Sequence, residues 1–108
     1  MDVSKIREYI KGYNVRFDGP EEYYYFDENN AKDFYIDVIV NLNQGEVVEL
    51  MKNVYKISNY IFAKFIVAVI DEFKPSLLND CLSDRRLGKK ASQWYFEIGR
   101  ALIIPGVL

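Results

Sequence analysis

The run Phe34-Tyr35-Ile36-Asp37-Val38-Ile39-Val40 decides the fold. Every residue in it except Asp37 is an aromatic or a β-branched aliphatic, the types that fit a pleated, half-buried surface. It reads as a well-buried strand. Polar Asp27 to Lys32, with Asn29-Asn30 at its centre, then serves as the turn before it. Further upstream, Tyr23-Tyr24-Tyr25-Phe26 is rich in strand-forming rings. Asp18-Gly19-Pro20-Glu21 has the chemistry of a tight turn, because Gly supplies a positive φ and Pro fixes its own. Before that turn, Tyr13, Val15 and Phe17 alternate with Asn14 and Arg16, the period of a strand. Residues 13–41 therefore predict a three-stranded antiparallel meander.

Downstream the period changes. Asn43, with Glu46 three residues on, has the form of a capping box. Val47, Leu50, Met51, Val54, Ile57, Ile61, Phe65 and Val69 then recur at steps of three and four, which predicts helix. Pro75 stops the pattern. Gln44 to Phe73 is long for one helix, and Ser58-Asn59 is the expected break, since either residue can recap there. The β-branched and aromatic content of Phe62 to Ile70 leaves a buried strand open, but apolar pairs at 61/62, 65/66 and 69/70 favour helix. Ser76 is placed to cap a short turn from Leu77 to Leu82. A last helix is expected from about Arg86 to Ile103, burying Leu87, Ala91, Trp94, Ile98 and Leu102, with Tyr95 beside them. At the other end, Asp2 can cap a short helix over 2–12. The predicted class is α+β in a single domain, 1–108. It consists of an N-terminal helix, the three-stranded antiparallel meander, then two to three helices packed on one face of the sheet.

Composition narrows the chemistry. Half of the residues are apolar and 28% are charged, which suits a globular domain. The chain has no histidine and one cysteine, Cys81. That removes Ser-His-Asp and Cys-His catalysis and every His-containing zinc site. Only oxygen ligands would remain for a metal, and neither a metal site nor a cofactor is expected. A lone thiol cannot staple the fold and suits a reducing compartment. Residues Met1 to Lys5 lack the segments of a signal peptide. The longest apolar stretch, Tyr60 to Ile70, is interrupted by Lys64 and too short to span a bilayer. The expected setting is the cytoplasm, with no membrane partner.

The net charge of −2 hides an uneven distribution. Residues 18–37 hold seven acids against Lys32 alone, together with Tyr23, Tyr24, Tyr25, Phe26, Phe34 and Tyr35. Adjacent residues of a strand point to opposite faces, so either Tyr23 and Tyr25 or Tyr24 and Phe26 must look away from the core. Accessible tyrosines among carboxylates make a surface for a basic protein. The residues expected to carry it are Glu21, Glu22, Tyr23, Tyr25, Asp27 and Glu28. The plain alternative is a solvated hairpin with its rings packed under the helices.

A second cluster, Arg85, Arg86, Lys89 and Lys90, falls where the last helix should begin. Cations oppose the helix dipole there, so the cluster can mark an anion site, with Trp94 as a nearby ring. The plain alternative is solvated charge, or pairing with the acidic block. Gly88-Lys89 ends like a phosphate-binding loop, but Ser83 and Lys90 stand where Gly and Ser or Thr are required. A metal-dependent hydrolase would have to use Asp37 with Glu72 and Lys74, a pairing that needs a strand where helix is predicted. Cys81 reads as a small buried hydrophobe unless Arg85 activates it.

These features favour a small, acidic, non-enzymatic binding protein that neutralises a basic, nucleic-acid-acting protein such as a nuclease toxin. In size, acidity and lack of cofactor motifs the chain resembles, in type only, the immunity proteins of bacterial toxin systems and phage-encoded anti-CRISPR proteins. That likeness carries no motif and transfers no site residue. Two other readings stand beside it: a nucleic-acid or phosphate binder using the basic cluster, and a structural subunit that forms a homodimer through exposed tyrosines.

Overall fold

A computed structural model describes residues 3–10, 14–18, 21–25 and 28–107, with side chains placed at 3–10 and 29–99. Of those side-chain-bearing residues, 82% are helical and none lies in a strand. The order is a 3-10 turn at Val3–Lys5, α1 (Ile6–Tyr9), β1 (Asn14–Asp18), β2 (Glu21–Tyr25), α2 (Glu28–Asp37), a 3-10 turn at Ile39–Asn41, α3 (Gln44–Lys56), α4 (Tyr60–Phe73), α5 (Pro75–Leu82) and α6 (Lys89–Val107).

The α+β expectation is overturned by its deciding stretch. Residues 34–40 are not a strand: they finish α2 and form the 3-10 turn after it. Burial follows the helical period, with Ala31, Phe34 and Val38 inside, while Ile36 is 50% and Val40 57% exposed. A buried strand would hide Ile36 as well as Phe34. The expected Asn29-Asn30 turn is instead the first turn of α2. Packing supplies the reason. Phe34 sits between Tyr9 and Phe65, with ring centroids 5.1 and 5.2 Å away, and tertiary contacts of this kind override β-propensity. The backbone of β1 and β2 pairs as an antiparallel hairpin, Asn14 opposite Tyr25. The expected sheet with helices on one face is absent from the described core, which is built from helices and the short turns that join them.

The helices start and stop for local reasons. Asn43 caps α3: its Oδ1 accepts from the Glu46 N–H at 2.9 Å, and Glu46 Oε1 accepts from the Asn43 N–H at 3.1 Å. The helical run breaks at Ser58, which sits at φ 52°. Asn59 then caps α4 by accepting the Phe62 N–H at 3.0 Å. Ile57 and Ile61, on either side of the break, are exposed, while Phe65 and Val69 of the same expected run are buried. Residues 60–70 are helix, and α4 buries Phe62, Ala63, Phe65, Ile66, Val67, Val69 and Ile70 at the centre of the core. Pro75 opens α5, where its missing N–H costs nothing; Ser76 makes no capping bond. The last helix begins at Lys89 rather than Arg86. Tyr95, not Trp94, is its innermost ring, 1% exposed, with its hydroxyl donating to the Met51 carbonyl at 2.7 Å.

Candidate binding surfaces

The acidic block divides into two parts. Glu21, Glu22, Tyr23 and Tyr25 belong to β2 and Glu28 opens α2, but the side chains of all four β2 residues and of Glu28, and Asp27 altogether, lie outside the described residues. The remainder lies on α2. Asp33 and Asp37 are exposed, and neither forms an ion pair among the described residues. Asp37 Oδ2 accepts from the Tyr9 hydroxyl at 3.4 Å. Partial burial, then the Asp37 charge, pushes the Tyr9 phenol up. Of the rings expected alongside, Phe34 is fully buried and Tyr35 is half-buried against Phe73 at 5.0 Å. What α2 offers outward is Lys32, Asp33, Ile36 and Asp37, with Val40 exposed in the 3-10 turn beyond it.

The basic cluster also divides. Arg86 is committed to Asp84, through Nη2 to Oδ2 at 2.6 Å, Nε to Oδ1 at 3.0 Å and its own N–H to Oδ1 at 2.9 Å. Gln44 Nε2 adds a bond to Asp84 Oδ2 at 2.9 Å, tying the first turn of α3 to this corner. The Arg86 hydrogen bonds, with help from Gln44, hold the Asp84 carboxyl far below the usual carboxylate range. Asp84 in turn raises the guanidinium pKa. Gly45 lies beneath the guanidinium, where an added Cβ would meet Arg86 Nη1 at 2.5 Å.

Arg85 and Lys89 are placed differently. They line an open groove of about 620 Å³ between the end of α5 and the start of α6, together with Ser83, Gly88, Gln93 and Phe96. Gly88 takes φ 90°, which lets the chain turn into α6. Phe96 is 54% exposed. Trp94, expected as the ring of this site, packs elsewhere, edge-on to Tyr55, Tyr60 and Tyr95. Lys90 is exposed and does not line the groove.

The groove ring Phe96 is a residue that sequence reasoning missed. So is an exposed apolar corner between α3 and α4: Ile57 at 58%, Tyr60 at 42% and Ile61 at 36%. Lys64 Nζ stands over the Tyr60 ring at 4.6 Å.

Other chemistry finds little support. No three His, Cys, Asp or Glu side chains converge among the described residues. Cys81 is fully buried, and burial first, then Asp84 and Asp80, pushes its thiol up to about 11. Arg85 does not activate it. Among the described residues no helix is long and apolar enough to cross a membrane. No family model matches the chain, and neither a curated protein nor a solved structure matches it.

Proposed function

We propose that this protein is a non-enzymatic, cytoplasmic binding protein whose acidic segment, residues 18–37, engages a basic protein partner. One observation carries the reading: Asp33 and Asp37, the described acids of that segment, are exposed and unpaired with the domain's own cations among the described residues. Carboxylates left in water steer a basic surface toward them and act mainly on the association rate. The segment's anchors are Glu21, Glu22, Tyr23 and Tyr25 of the hairpin with Asp27 and Glu28. A nuclease toxin, whose active site grips phosphates with Lys and Arg, has the matching chemistry.

The test begins with co-purification from the native cell to identify the partner. Affinity is then measured for the wild type, Asp33→Lys/Asp37→Lys and Glu21→Lys/Glu22→Lys. Each reversal should slow association by about tenfold at low salt, with the difference shrinking as salt rises. Unchanged affinity in both variants rejects the reading.

A second reading rests on the groove, where Arg85 and Lys89 flank an exposed phenyl ring. That arrangement suits a phosphate with a stacked base. It predicts salt-sensitive retention of single-stranded oligonucleotides, lost in Arg85→Glu/Lys89→Glu. No retention at low salt excludes it.

A further inference from the structure

The molecule carries two exposed apolar stripes of opposite charge. One runs along α2 into the 3-10 turn after it, where exposed Ile36 and Val40 lie beside Asp33 and Asp37, two acids against the exposed Lys32. The other is the α3–α4 corner, where Ile57, Tyr60 and Ile61 are accompanied by the exposed Lys56 at the end of α3 and by Lys64 over the Tyr60 ring. Between Glu49 and Asp71 the sequence has three lysines and no acid. Tyr35, next to Ile36, stacks on Phe73 at the C-terminal end of α4, whereas Tyr60 stands at its N-terminal end, thirteen helical steps or about 20 Å away.

We infer that the chain self-associates, the acidic α2 stripe of one copy seating on the basic α3–α4 corner of another. The apolar residues supply the contact, with Tyr60 and the adjoining edge of Trp94 the ring types enriched at interface centres. The carboxylates and lysines set which stripe meets which. The contact is between different surfaces, so it builds rings or chains rather than demanding a two-fold axis. The inference concerns the purified chain alone, so a chain that stays monomeric leaves the proposed external partner standing.

Sedimentation velocity on the full chain tests it. The wild type should show a concentration-dependent rise in sedimentation coefficient at low salt, lost in about 0.5 M salt, where screening reaches within a few ångströms. Asp33→Lys/Asp37→Lys and Lys56→Glu/Lys64→Glu should each remain monomeric, because both stripes then carry one sign. Mixed in equal amounts, the two variants again present opposite charges and should regain the heavier species. Ile36→Ser/Ile61→Ser, which keeps every charge, should also be monomeric. A wild type that stays monomeric at low salt, or a mixture of folded variants that does not reassemble, overturns the inference.

Discussion

Asp84 takes a basic residue out of circulation, and the sequence does not announce it. In a helix, residues two apart do not face each other, so Asp84 and Arg86 carry no pairing signal once Arg86 is assigned to a helix start. The chain turns instead at 84–88, and there the same spacing brings guanidinium and carboxylate together. Because the folded carboxyl lies below its ordinary pKa of 3.8, the network stabilises the fold above that pH. The contribution is lost as pH falls through and below it. Urea unfolding of wild type and Asp84→Asn should therefore differ at pH 7 and converge toward pH 2. A gap that persists undiminished in acid would mean that the ionised carboxylate is not the stabilising species. Tyr95 makes the other single-residue case. Removing its buried hydroxyl in Tyr95→Phe leaves the Met51 carbonyl without that donor and should cost about 1 kcal/mol. Tyr95→Ala, which also empties the ring's space, should cost about 3–5 kcal/mol.

At the scale of elements, caps and breakers were legible because they act locally. The Asn43–Glu46 box, the break at Ser58-Asn59 and the stop before Pro75 each depend on a few neighbouring atoms, and each lies where the residues indicate. The α2 stretch was not legible from propensity. Six of its residues from Phe34 to Val40 favour strands, yet Ala31, Phe34 and Val38 lie three and four apart and meet Phe65 and α1 on one side. Burial of that stripe outweighs the strand preference of these residues, on a scale that spans only about 1 kcal/mol per residue and yields to packing. Among the candidate sites, the division of the basic cluster into a tied Arg86 and groove-lining Arg85 and Lys89 needed the turn. The α3–α4 corner adds a test of its own. Ser58 holds a left-handed conformation at φ 52°, which costs a residue with a Cβ about 1–2 kcal/mol. Ser58→Gly should therefore raise the thermal midpoint, and Ser58→Val should lower it. The reverse order would show that the corner relaxes to another conformation.

On the scale of the whole molecule, one hydrophobic cluster receives residues from every described helix: Ile6 of α1, Phe34 of α2, Val54 of α3, Phe65 of α4, Cys81 of α5 and Ile98 of α6. A core shared this widely offers no seam along which one helix could leave without exposing the rest. The described domain should thus unfold in a single step. Two probes already built into the chain report on this. Trp94 is the only tryptophan, and it sits against Tyr55, Tyr60 and Tyr95 between α3, α4 and α6. Cys81 lies on α5, fully buried, with a thiol pushed up to about 11. At pH 8 a thiol reagent should label Cys81 at the rate of global opening, with protection lost at the same urea midpoint as the Trp94 fluorescence and the far-ultraviolet helical signal. The raised thiol also sets a sign at high pH. Between its ordinary value of 9 and about 11 the unfolded thiol ionises while the folded one does not, so this group's contribution to stability falls as pH rises through that window. If Cys81 became reactive at clearly lower urea than Trp94 reports, α5 would be a separate unit, and the groove it forms with α6 would open independently of the core.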